Sequence, residues 1–136
     1  MAGYEIILES EFSAAHRLRL ADGNLEPLHG HNWRVEVHLE GPELDSAGML
    51  ADFTVLRAGL RQVTQGLHDT CLNDLPAFAT CSPSTEHVAR HIHDRFVAAV
   101  PTGLRVTRVR VWETRDAAAA YLPDGGPLSR SPGGGI

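Results

Sequence analysis

The chain contains no lysine. Its positive charge comes from twelve arginines, set against 17 acidic residues for a net charge of −5 over 136 residues. No basic stripe or cluster appears, which argues against a nucleic-acid partner. No apolar run approaches the roughly 18 residues needed to cross a bilayer, so no membrane partner is expected. The first residues lack the basic, then apolar, then small-residue order of a secretory signal, and the expected location is the cytoplasm. Cysteine occurs only at Cys71 and Cys81. In a cytosolic chain two cysteines read as free thiols rather than a disulfide.

What is present suits one soluble domain, with a core that removes about 65–70% of the unfolded surface from water. Residues 4–16 read as a strand, 17–28 as a polar loop turning at Asp22-Gly23-Asn24, and 29–40 as the antiparallel partner strand. Asp52 reads as a helix N-cap, with Phe53, Leu56, Leu60, Val63 and Leu67 spaced along one helical face. A loop is expected from about His68 to Cys81. A second helix follows Ser82-Pro83 or Ser84-Thr85, with Val88, Ile92, Phe96, Ala99 and Val100 inward. Residues 104–114 read as a strand, with Val106, Arg108, Arg110 and Trp112 sharing a parity and hence an outer face. Residues 117–122 read as a short last strand. The expected domain spans 1–122, and the Gly/Pro/Ser-rich tail 123–136 supports no packed element of its own. The order ββααββ predicts an α+β fold, an antiparallel sheet with two helices on one face. Its open strand edges favour joining into an oligomeric ring.

Three histidines are clustered in the sequence, at the end of Phe12-Ser13-Ala14-Ala15-His16 and in Leu28-His29-Gly30-His31-Asn32. Side chains alternate along a strand, so His29 and His31 share a face with Trp33, Val35, Val37 and Leu39. His16 shares a face with Leu8, Phe12 and Ala14. All three lie on the apolar side of their strands. Spacing alone leaves two readings: unrelated histidines satisfied by carbonyls, or three imidazoles on a metal with an open fourth position.

Six motifs in order narrow the choice: Phe12–His16, His29-Gly30-His31-Asn32, Gly48-Met49-Leu50-Ala51-Asp52-Phe53, Leu72-Asn73-Asp74, Ser84-Thr85-Glu86 and Val111-Trp112-Glu113-Thr114. Over residues 4 to about 121 the chain resembles the 6-pyruvoyl-tetrahydropterin synthase / 6-carboxytetrahydropterin synthase family. The resemblance implies the tunnelling fold, with strands from several subunits closing into a barrel, as a homohexamer built from two trimers. It implies Zn2+ on His16, His29 and His31, and a small-molecule pterin bound near a subunit boundary. Glu113 would accept hydrogen bonds from the amino-pyrimidine edge, since a carboxylate offers two acceptors to two parallel donors. The other reading of Glu113 is a solvated strand-end acid. Ser84 and Thr85 would touch the pterin, cap the second helix, or do both.

Two departures from the family pattern bear on the chemistry. Members of the family carry a catalytic cysteine before His-Gly-His, at the position of Leu25 or near Gly23, and no cysteine lies between His16 and His29. Glu26 stands three before His29 instead. That spacing resembles the glutamate-type subgroup, whose members cut the side chain of dihydroneopterin by retro-aldol chemistry to 6-hydroxymethyl-7,8-dihydropterin and glycolaldehyde. The competing reading of Glu26 is an ordinary loop residue. The family's Asp-His relay pair also appears exchanged, as His68-Asp69. Asp69 then takes the relay position with His68 as support, or the relay is lost. Cys71, Cys81, His38, His87, His91 and His93 read as packing or surface residues. The expected activity is a zinc-dependent dihydropterin lyase. The alternatives are 6-carboxytetrahydropterin synthesis in a 7-deazaguanine (queuosine) pathway, 6-pyruvoyl-tetrahydropterin synthesis, or zinc and pterin binding without turnover.

Overall fold

The computed structural model describes residues 2–124. Strands β1 (Tyr4–His16) and β2 (His29–Gly41) pair antiparallel without a break, from Tyr4 opposite Gly41 to His16 opposite His29. Helix α1 (Phe53–Gln65), strand β3 (Thr70–Cys71), helix α2 (Thr85–Phe96) and strands β4 (Arg105–Thr114) and β5 (Ala117–Tyr121) follow. The sheet order is β3-β1-β2-β4-β5, antiparallel except where β3 runs parallel to β1. The expected ββααββ order is present with one addition. Strand β3 lies in the segment expected to be loop, and its two residues pair with Ala14 and Ala15. Two residues are too few for an alternation pattern to show in sequence. Two short 3-10 turns, Leu72–Asp74 and Pro76–Phe78, fill the rest of that segment. Of the tail expected at 123–136, residues 125–136 lie outside the described residues.

Both helices are capped at the expected residues. Asp52 accepts from the Thr54 N–H at 2.8 Å, and Ser84 accepts from the His87 N–H at 3.2 Å. Helix α1 packs on β1, and α2 packs on β4 and β5. Leu56, Leu60, Val88, Ala89, Ile92 and Phe96 close over Leu8, Phe12, Trp33, Val35, Val37, Val109 and Val111, all of them buried. Phe53 departs from the expected inward face and is 45% exposed. It starts α1, and Thr54 and Val55 beside it in the first turn are exposed as well. Val106 also departs from expectation. The ladder slips between His38 and Leu39, so that Val106 faces Leu39 while Arg108 faces His38. Thr107 is the extra residue of a β-bulge, which resets the alternation and buries both Val106 and Thr107.

The opposite face of the sheet is polar and centres on Glu36. Its carboxylate accepts from Trp112 Nε1 at 2.8 Å and lies 3.2 Å from Arg34, 3.3 Å from His38 and 3.4 Å from Arg110. Burial raises the Glu36 pKa, but the hydrogen bonds from Trp112 and His38, with the two guanidinium charges, outweigh that and hold it below its ordinary value.

Gly59 sets the distance between α1 and the segment after α2. A Cβ at this position would stand 2.5 Å from Ala99 Cβ. An alanine gains about 1 kcal/mol of helix propensity, but overpacking costs typically 1–3 kcal/mol. Gly59→Ala is therefore expected to lower the denaturant midpoint, and Ala99→Gly in the same chain to restore it. A stabilised single variant would contradict this packing.

Candidate active site

The β1–β2 register assembles the histidines. His16 stands directly opposite His29, and His31 opposite Ala14, all on the core side of the sheet's end. Ring centroids lie 4.6 Å (His16–His29), 5.2 Å (His16–His31) and 4.9 Å (His29–His31) apart, over the buried Trp33. One nitrogen from each ring lies within 4.8 Å of the others. Trp33 stacks on Phe12 and donates from Nε1 to the Ala14 carbonyl at 3.2 Å, which fixes the floor of the cluster.

Backbone carbonyls set the tautomers. His16 Nδ1 lies 2.8 Å from the Pro83 carbonyl, and His29 Nδ1 2.8 Å from the Pro27 carbonyl. A carbonyl only accepts, so each Nδ1 carries the proton and each Nε2 presents a lone pair. His16 Nε2 and His31 Nε2 are buried without a hydrogen-bond partner among the described residues. Buried lone pairs of this kind are costly, and a coordinated cation removes the cost. Burial pushes the His31 pKa down and the charges of His16 and His29 add to that, while Glu113 and Glu26 oppose it. The net shift favours the neutral, metal-binding form. Three neutral imidazoles, two of them oriented by carbonyls, fit zinc with one position left open.

Two carboxylates flank the imidazoles. Glu113 Oε1 lies 3.2 Å from His16 Nε2 and 3.7 Å from His31 Nε2. The β4–β5 ladder slips between Trp112 and Thr114, so Glu113 is itself a bulge residue. Bulges of this kind re-aim side chains beside active sites. Glu26 Oε1 lies 3.8 Å from His29 Nε2. Glu26 is held twice by Leu18, its carboxylate accepting the Leu18 N–H at 3.0 Å and its own N–H donating to the Leu18 carbonyl at 3.0 Å. The predicted loop is thus an ordered turn that fixes Glu26 against β1.

The exchanged pair divides between two hollows. Asp69, at a left-handed φ of 57°, lines a cavity of about 390 Å³ with His31, Gly30, Asn32 and Ser13. His68 lines a different one, towards Arg57 and Arg61 of α1. His68 Nδ1 accepts the Ser13 N–H at 3.0 Å, which leaves the proton on Nε2, 3.4 Å from Asp69 Oδ2. A second cavity at the site, of about 490 Å³, is lined by His31, Glu113, Trp112, Arg34 and Arg115 among others. Ser84 and Thr85 line neither of these cavities at the site, and Ser84 Oγ is taken up by the helix cap.

Two supports were not predicted. Pro83, before α2, supplies the carbonyl that orients His16. Asn73 clamps Arg17, the residue after His16, accepting from its N–H at 3.0 Å and donating to its carbonyl at 2.9 Å. The Leu72-Asn73-Asp74 motif was the sequence signal for the second. Nothing local in the sequence signals the first.

The profile of the 6-pyruvoyl tetrahydropterin synthase family matches residues 5–124. A 6-carboxy-5,6,7,8-tetrahydropterin synthase of Bacillus subtilis is 33% identical over 135 residues, covering 93% of this chain and 90% of that one. A dihydroneopterin monophosphate aldolase of Pyrococcus furiosus is 32% identical over 108 residues, covering 79% and 88%. Among solved structures, the 6-pyruvoyl tetrahydropterin synthase of Caenorhabditis elegans superposes with a TM-score of 0.78 at 23% identity, covering 91% and 98%. That of Plasmodium vivax, solved with a catalytic residue changed from glutamate to alanine, superposes with a TM-score of 0.71 at 22% identity, covering 89% and 98%. The chain belongs to the 6-pyruvoyl tetrahydropterin synthase family and has its α+β fold, a mostly antiparallel five-stranded sheet with two helices. Members of that family process pterins, and they include both synthases and an aldolase. Among the described residues no helix is long and apolar enough to cross a membrane.

The site predicts about one zinc per chain by elemental analysis. The His29→Ala/His31→Ala double variant should lose it. Acidification should release the metal as the imidazoles protonate, with His31 holding out below its ordinary value near 6.5 because burial depresses its pKa. Full retention in the double variant would refute these ligands.

Proposed function

We infer that this protein is a zinc-dependent lyase that cleaves the side chain of dihydroneopterin, or of a phosphorylated form of it, by a retro-aldol reaction. The observation that carries this reading is Glu26. It is the carboxylate beside His29, held by Leu18, in a stretch from His16 to His29 that has no cysteine. The P. furiosus aldolase supports it.

The metal would be held by His16, His29 and His31, and zinc there supplies a Lewis acid that polarises the side-chain hydroxyls. Glu26 takes the proton from the 2′-hydroxyl. Its Oε1 is anchored by the Leu18 N–H, and among the described residues no hydrogen bond engages Oε2. As the C1′–C2′ bond breaks, C2′ and C3′ leave as glycolaldehyde or its phosphate. The electron pair passes from C1′ into the C6=N5 unit of the ring, and C1′ then takes a proton to give 6-hydroxymethyl-7,8-dihydropterin. Asp69 stands at the cavity wall as the proton relay, with His68 behind it. Glu113 faces the second cavity and contacts the pterin. The pterin contacts of Ser84 and Thr85 follow from the family motif. The working form is a homohexamer. Support for it comes from the two edges of the sheet: β3 covers only two residues of the outer edge of β1, and β5 has no strand on its outer side among the described residues. Light scattering should give six chains per particle at micromolar concentration, and a stable monomer would contradict that assembly.

The B. subtilis relative supports a second reading, 6-carboxytetrahydropterin synthesis with Glu26 in place of the usual thiol. Substitution of Glu26 tests the base in either reaction. Glu26→Gln preserves shape, so zinc content and neopterin affinity should persist while turnover falls by the 10²–10⁴-fold typical of a lost general base. Turnover at the wild-type rate would make Glu26 a loop residue.

A further inference from the structure

The contact between Glu113 and the imidazoles needs something between them. His16 Nδ1 is committed as a donor to Pro83, so Nε2 offers only a lone pair. A carboxylate oxygen also offers only lone pairs, yet Glu113 Oε1 stands 3.2 Å from that nitrogen and 3.7 Å from His31 Nε2. Neither nitrogen makes a hydrogen bond among the described residues. Lone pairs facing each other at this distance repel unless a proton or a metal ion lies between them.

The spacing is that of ligands sharing one ion. Bonds of 2.0–2.2 Å at tetrahedral angles place neighbouring ligand atoms about 3.3–3.5 Å apart. The two Glu113 distances bracket that value. Glu26 does not compete for the position, because its nearest imidazole nitrogen is 3.8 Å away and the same oxygen already accepts the Leu18 N–H. Glu113 makes no contact under 4 Å with His29 among the described residues, so closing the set falls to His29. At 40% side-chain exposure, His29 is the least confined of the three rings. The bulge at residue 113 provides the aim, turning the carboxylate towards the end of the sheet where the imidazoles converge.

We propose that Glu113 is the fourth metal ligand of the substrate-free protein, and that the pterin substrate displaces it. This rests on the three-histidine metal centre, not on the identity of the reaction. The site would then idle with its open position closed by an internal carboxylate. Substrate entry would free that carboxylate to face the 490 Å³ cavity and the pterin. Glu113 would thus act first on the metal and then on the substrate, coupling pterin binding to exposure of the metal.

The test reads coordination rather than turnover. Cobalt(II) replaces zinc in the wild-type protein and in Glu113→Gln and Glu113→Ala, and visible spectra are recorded without ligand. Zinc affinity is measured by chelator competition, and far-ultraviolet circular dichroism confirms that each variant is folded. The expected results are altered cobalt bands in both variants and zinc affinity at least 10-fold weaker in Glu113→Ala, still at one ion per chain. Adding neopterin should change the wild-type spectrum as the carboxylate leaves. Superimposable spectra and equal zinc affinities across the three proteins would overturn the proposal while leaving the three-histidine site intact. A wild-type protein that takes up neither metal would overturn both.

Discussion

Everything at the site depends on the register of one strand pair. Thirteen unbroken β1–β2 pairs bring His16 opposite His29 and keep His31 on the same face. A slip of one residue would turn a strand's whole apolar set outward and remove its histidines from the cluster. Phe12, Trp33, Val35 and Val37 oppose such a slip because they are buried on that face. Core packing and ligand placement are therefore one constraint. The helices serve it twice, covering the apolar face and, through Pro83 ahead of α2, orienting the His16 ring.

The chemistry comes from what surrounds those rings. Two carboxylates reach the imidazoles from different elements, Glu26 from a turn tied to Leu18 and Glu113 from a bulge in β4. Their settings differ. Glu26 is fixed by backbone hydrogen bonds at the edge of the site, which suits a residue that must meet a substrate hydroxyl at a set position. Glu113 sits closer to two of the imidazole nitrogens and has a cavity beside it. Asp69, held at a left-handed φ by the Ser13 carbonyl on its N–H, brings a third carboxylate to the neighbouring wall.

Much of this was legible in sequence because it obeys short-range rules. Alternation placed the histidines on the apolar face, and Asp52 and Ser84 announced their helices by capping chemistry. The parts that were hidden break such rules or act across the chain. The bulge at Thr107 reversed the expected side of Val106, and an inserted residue leaves no compositional mark. Strand β3 is too short to carry a period, and the exposure of Phe53 depends on where a packed layer ends. The Pro83 carbonyl is backbone, so no residue type could advertise its hold on His16. For His68 and Asp69, sequence showed only that the pair was exchanged. The turn at positive φ decides that Asp69 lines the His31 cavity while His68 points towards α1.

The proposed cleavage of the dihydroneopterin side chain rests on the missing thiol and the held glutamate. Zinc-loaded protein incubated separately with 7,8-dihydroneopterin, its monophosphate and its triphosphate, with products identified by mass spectrometry, tests this directly. Release of 6-hydroxymethyl-7,8-dihydropterin with glycolaldehyde or its phosphate from at least one of the three is the expected result. A 6-carboxy or 6-pyruvoyl tetrahydropterin as the product, or three unchanged substrates, would contradict it.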